Sequence, residues 1–153
     1  MLEAYGNLWD IASEGKWDAV VITTNGFVRK DGAAVMGRGI ALEARNRYPG
    51  IDLDLGSRLK TFGNKVNLFF DYDPRFAIAT FPVKPIFGPH REPGWKAKAE
   101  LPIIMSSVGE LLYYVNRYDW MDILMPRPGC GNGGLRWENV KPKIEGLLDN
   151  RFT

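Results

Sequence analysis

The sequence predicts an α/β fold in which helices cover both faces of a mixed central sheet. Three observations carry the expectation. Asp18-Ala19-Val20-Val21-Ile22-Thr23-Thr24 is an unbroken, largely β-branched run, the pattern of a parallel strand buried on both faces. Strands alternate with helical patterns along the chain, and twice the order is strand, glycine loop, helix. Between these units, two apolar runs flank Asp71-Tyr72-Asp73-Pro74, a turn that permits one antiparallel pair.

In chain order, the first strand is followed by a glycine-containing loop and a helix over Ile40-Ala41-Leu42-Glu43-Ala44-Arg45 that stops before Pro49-Gly50. A second helix is predicted from Leu53 to Phe62, with Leu55, Leu59 and Phe62 on one face and an end at Gly63-Asn64. The turn-linked strands cover 66–70 and 76–80. Pro82, Pro85, Pro89, Pro93 and Pro102 then crowd one stretch, which excludes regular helix or central strand over 82–98. A loop of that length in a compact domain is commonly a lid or binding segment. A helix begins at about Pro102, where a missing N–H is harmless, and places Ile104, Val108, Leu111, Leu112 and Val115 on one face. Met121-Asp122-Ile123-Leu124-Met125 is a short strand leading into a second glycine loop, after which Trp137, Val140, Ile144, Leu147 and Leu148 mark a last helix. Trp9, Trp17, Trp120 and Trp137 are expected in the core.

Composition narrows the function classes. A chain of 153 residues is the length of one domain, so 1–153 is expected to fold as a unit. The 20 Lys and Arg against 18 Asp and Glu leave a net charge of +2, so any contact with nucleic acid must be local. One cysteine, Cys130, excludes an intrachain disulfide framework and fits a reducing compartment, and with one histidine, His90, no metal site or other cofactor is expected. No apolar run approaches a membrane span and the amino-terminal residues lack a targeting pattern, so the expected setting is the cytoplasm, with no membrane partner and a monomeric chain.

Gly37-Arg38-Gly39 and Gly129-Cys130-Gly131-Asn132-Gly133-Gly134 occupy equivalent places, each between a buried strand and a helix. Loops at the carboxyl ends of parallel strands line one crevice, and the helix N-termini beyond them present free N–H groups, so an anion is the natural guest. The alternative is a pair of tight turns. No nucleoside-triphosphatase loop is present, and Gly37-Arg38-Gly39-Ile40-Ala41-Leu42 lacks the third small residue of a dinucleotide fingerprint. What remains is a diphosphate held between two backbone loops, with Arg38 facing solvent or lending charge. Cys130 lacks a paired base and reads as a small packing residue, and Asp52, Asp54, Asp71 and Asp73 read as turn and helix-start acids.

Tyr5-Gly6-Asn7-Leu8, Thr24-Asn25-Gly26 leading to Val35-Met36-Gly37-Arg38-Gly39-Ile40-Ala41, and the run from Met125 to Val140 together resemble the macro domains, which bind ADP-ribose. Within that family the chain looks most similar to the branch of DNA ADP-ribosylation antitoxins and terminal ADP-ribose protein glycohydrolases. The resemblance implies a three-layer α/β/α macro-domain-like fold with a mixed sheet. It also implies that Met36, Gly37, Arg38, Gly39, Ile40 and Ala41 in one loop, and Pro128, Gly129, Cys130, Gly131, Asn132, Gly133, Gly134 and Leu135 in the other, clamp the diphosphate. Asn25 matches the asparagine that orients the distal ribose. Asn7, where relatives carry an aspartate, and the Leu8 N–H match the adenine contacts. Lys84, after Thr80-Phe81-Pro82-Val83, resembles a lysine that attacks the anomeric carbon, chemistry open to an amine kept partly unprotonated. On composition alone it reads as a solvated lysine of a proline-rich loop, and the resemblance is what raises the catalytic reading.

Two departures shape the expectation. An acidic residue that some protein-directed relatives carry in the second loop is replaced by Gly133, and Phe27 to Ala34 is inserted between Asn25 and Met36. The inserted residues and the loop after Lys84 carry Arg29, Lys30, His90, Arg91, Lys96 and Lys98 with Phe27, Phe87 and Trp95, a set able to track phosphates and stack bases, or to form a solvated rim. The implied activity is hydrolytic removal of ADP-ribose from a modified macromolecule, DNA or protein, with single-stranded DNA a candidate partner. The alternatives are a phosphatase acting on ADP-ribose 1″-phosphate and a non-catalytic ADP-ribose reader.

Overall fold

A computed structural model describes residues 1–153. Four strands form one mixed sheet in the order β2-β3-β1-β4. β1 (Ala19–Thr24) lies inside the sheet and runs parallel to β3 (Ala77–Pro82) and to β4 (Ile123–Leu124). β2 (Asn67–Phe69) joins β3 antiparallel through the Asp71–Pro74 turn, as the turn residues predict. Beyond β4, residues 151–153 continue the ladder: the Ile123 N–H donates to the Arg151 carbonyl at 2.8 Å and the Thr153 N–H to the Ile123 carbonyl at 2.9 Å. The Leu2 N–H donates to Phe152 O in turn, so β4 presents no bare edge.

Alternation along the strands sorts the helices into two layers. Ala19, Val21, Ala79 and Phe81 face α4 (Leu101–Arg117) and α5 (Trp137–Ile144), which contribute Ile104, Val108, Leu111, Val140 and Ile144 to one core. Val20, Ile22 and Ile78 face α1 (Leu8–Glu14), α2 (Gly39–Arg47) and α3 (Ile51–Phe62), which contribute Trp9, Ala12, Ala44, Leu55 and Leu59 to the other. The result is the expected three-layer α/β/α arrangement, with β1, β3 and β4 delivering their carboxyl ends to one side.

Several details differ from the sequence reading. β3 extends through Pro82 although it is an inner strand, because β2 ends opposite Thr80 and leaves no partner that a Pro82 N–H would serve. Val83 then resumes the bond to β1, donating to the Thr24 carbonyl at 2.9 Å. The last helix stops at Ile144, so Leu147 points to solvent while Leu148 is buried. Trp9 and Trp120 are core residues, but Trp17 and Trp137 are half-buried, because their ring nitrogens are used at the surface, toward the Ile11 carbonyl and Glu3. α1, seven residues long, is too short to display a helical period in the sequence.

Candidate functional site

A cleft of about 590 Å³ opens at the carboxyl ends of β1, β3 and β4, and both glycine loops line it. From the first come Gly37, Arg38, Gly39, Ile40 and Ala41, at the N-terminus of α2; from the second come Gly129, Gly131, Asn132 and Gly133. The loops approach each other closely, since a Cβ on Gly39, whose φ is +56°, would meet Asn132 Nδ2 at 2.9 Å. A Cβ on Gly131 would meet nothing within 4 Å. Gly133 is the opposite case, with a Cβ falling 2.6 Å from the Gly129 carbonyl oxygen and 2.7 Å from Ala99 Cβ. The turn therefore has no room for a side chain at Gly133.

Lys84 enters from the end of β3, half-buried, and its Nζ donates to the Trp95 carbonyl at 3.1 Å. Burial lowers its pKa from the ordinary lysine value, and the nearby Arg38 guanidinium lowers it further. Asn25, at the end of β1, is held by both ends of its amide: Nδ2 donates to Val35 O at 3.0 Å and Oδ1 accepts from the Phe27 N–H at 2.9 Å. One N–H and one oxygen lone pair stay available to the cleft. The Cys130 thiol lies outside the cleft wall, packs against the core and donates to Pro128 O at 3.4 Å, and burial raises its pKa, all properties of a packing residue.

Other expected site residues sit elsewhere. Met36 is a core residue, and Pro128, Gly134 and Leu135 belong to the second loop but not to the cleft wall. Asn7 and Leu8 lie outside the cleft, and Asn7 Oδ1 caps α1 by accepting from the N–H groups of Trp9 and Asp10. Thr23, Thr24, Val35, Val83, Pro126 and Arg127 also line the cleft, though the sequence assigns them no ligand role. Thr23 and Thr24 end β1 and Val83 directly follows β3, so the rule that crevices open past the carboxyl ends of strands marks these three. Of the inserted rim, Trp95 and Lys96 reach the cleft, and Phe27 stacks edge-on against Phe87 at 5.6 Å.

No family model matches the chain. It is 28% identical over 116 residues to the DNA ADP-ribosyl glycohydrolase of Mycobacterium tuberculosis and 26% identical over 121 residues to that of Thermus aquaticus. These matches cover 72% and 75% of this chain but only 30% and 31% of the relatives, so the chain spans about a third of their length. The macrodomain of M. tuberculosis DarG superposes with a TM-score of 0.73 at 25% identity, covering 94% of this chain and 86% of that one. The T. aquaticus DarG macrodomain gives 0.71 at 22%, covering 96% and 91%. Thermosipho africanus DarTG, solved in complex with ADP-ribose, gives 0.68 at 19%, covering 90% and 37%. Strand order, the two glycine loops at one end of the sheet and these likenesses give the chain a macrodomain fold, similar to the macrodomains of DarG.

Proposed function

We propose that the cleft binds ADP-ribose and that the chain removes ADP-ribose from modified DNA, the activity named for its relatives. The observation that carries the catalytic part is Lys84: a half-buried amine in the cleft wall, its pKa lowered by burial and by Arg38. In this reading the backbone of the two loops and the N-terminus of α2 hold the diphosphate, and Gly131 lies where the anion passes. Asn25 offers its remaining N–H and lone pair to the distal ribose diol. Unprotonated Lys84 Nζ attacks the anomeric carbon, the bond from that carbon to the acceptor breaks, and its electron pair leaves with the acceptor, which takes up a proton. The sugar ring opens to a Schiff base, and water then adds to release ADP-ribose and free amine.

Gly133 supports a lysine-centred mechanism, since no carboxylate fits in that turn. The proposal places the activity on a monomer, because one chain supplies both loops, and in a reducing cytoplasm, where the Cys130 thiol stays free.

The test is borohydride reduction during incubation with ADP-ribose or an ADP-ribosylated single-stranded oligonucleotide. A covalent adduct in the native chain, absent from Lys84→Ala along with turnover, is expected. Tight binding without adduct or turnover would identify a reader, and release of phosphate from ADP-ribose 1″-phosphate would identify a phosphatase.

A further inference from the structure

The acceptor is attached to the carbon that Lys84 is proposed to attack, so its first few ångströms must lie close to the Lys84 amine, on the open side of the cleft. Trp95 is the one aromatic residue in the cleft wall, and its own carbonyl holds Lys84 Nζ at 3.1 Å. Its ring is not folded inward: the residue is 36% exposed, and Lys96 Nζ stands 5.1 Å from the ring centroid. The turn that carries it, Gly94–Lys96, is braced. Gly94 N–H donates to Ile86 O at 2.8 Å, and a Cβ on Gly94 would fall 1.7 Å from the Pro85 carbonyl oxygen. The same loop displays Phe87, 58% exposed, with Phe27 edge-on beside it.

The charge of this loop is one-sided. From residue 84 to 98 it holds Lys84, Arg91, Lys96 and Lys98 against a single acid, Glu92, whose Oε2 already accepts from the His90 N–H. No ion pair occupies Arg91, Lys96 or Lys98. A braced, exposed aromatic ring with Lys96 over one face, on a loop that carries two further unpaired cations, suits a polyanion whose repeating unit carries a flat ring, which is a single nucleic-acid strand. A protein acceptor would bring neither regular phosphates nor an obligatory flat ring.

We propose that Trp95 is the acceptor-recognition residue, a platform on which the ADP-ribosylated base of single-stranded DNA stacks beside Lys84, with Lys96 and Lys98 taking the flanking phosphates. This rests on the ADP-ribosyl-DNA hydrolase reading and adds to it how the acceptor is recognised.

The experiment compares Trp95→Ala and Trp95→Phe with the native chain. Binding of an unmodified single-stranded DNA decamer is followed by anisotropy, binding of free ADP-ribose by calorimetry, and hydrolysis of the ADP-ribosylated decamer by its kcat/KM. Loss of a base stack corresponds to a roughly 5- to 150-fold weakening. Trp95→Ala is therefore expected to weaken decamer binding and lower kcat/KM on DNA by at least about 5-fold more than it changes ADP-ribose affinity. Trp95→Phe is expected to restore most of the loss, and added salt to weaken decamer binding in every variant. Equal decamer binding by the native chain and Trp95→Ala, or none by either, overturns the platform while leaving ADP-ribose binding intact. Absence of ADP-ribose binding by the native chain is the separate result that removes the underlying reading. Stronger dependence on Trp95 for an ADP-ribosylated protein than for the decamer would also overturn it.

Discussion

At the scale of the residue, the behaviour of the Lys84 amine, the proposed nucleophile, depends on its neighbours. Lys84 loses affinity for its proton first through burial and then through the positive field of Arg38. A free amine is needed for attack, so single-turnover adduct formation should rise with pH through a midpoint below the ordinary lysine range. Replacing Arg38 with Gln removes the second cause, so the midpoint is expected to move to higher pH. A midpoint unmoved in Arg38→Gln would show that the guanidinium does not act on this amine. The loop glycines make a separate contrast. Gly131→Ala adds a methyl group to open space and should leave the melting temperature near native, whereas Gly133→Ala drives a Cβ against the Gly129 carbonyl and should cost about 1–3 kcal/mol. Thermal melts of the pair decide it, and equal melting temperatures would sink the packing account of Gly133.

At the scale of the element, the β2–β3 turn is tied to the end of α2 by one carboxylate. Asp73 is buried, accepts from Arg75 Nε and Nη2 and from its backbone N–H, each at 3.0 Å, and accepts from the Tyr48 hydroxyl at 2.7 Å. These donors, the Arg75 guanidinium foremost, lower its pKa from 3.8 to about 2. A carboxylate depressed in the folded state stabilises it above the unfolded pKa, and that contribution is lost as pH falls from about 4 to about 2. The contribution is roughly 2 kcal/mol. Asp73→Asn should therefore lower stability at neutral pH and flatten its fall over that acid window, measured by urea unfolding at several pH values. Elements of this kind were legible where their pattern is long. The β1 run, the α4 stripe from Ile104 to Val115 and the antiparallel pair could be placed from residues alone, and the glycine loops followed from their positions between strand and helix. α1 escaped because seven residues show only Trp9 and Ala12 of a buried face, too few to display a period. α5 was overextended because Val140, Ile144 and Leu148 keep helical spacing past the point where the helix gives way to turns. Asn7 caps α1, a role its sequence position also allows.

At the scale of the whole molecule, the cleft bridges two cores that meet only through the sheet. The first loop rests on Ala34 and Met36, in the core beneath α1, α2 and α3; the second rests on Cys130 and Leu135, packed against the core beneath α4 and α5. A ligand gripped by both loops therefore binds an arrangement that exists only when both layers are folded, and it must stabilise the molecule as one unit. At a ligand concentration 100 times Kd the gain is about 2.7 kcal/mol, which for a chain of this size raises the melting temperature by about 5–10 °C. ADP-ribose is expected to produce such a shift in a single transition, followed by scanning fluorimetry across a concentration series. Gly131→Glu, which extends a carboxylate into the open space between the loops, should melt near the native temperature without ligand and show no shift with it. A native chain that does not shift at high ADP-ribose would remove the ligand from the cleft. A Gly131→Glu chain that still shifts would place the diphosphate elsewhere on the molecule.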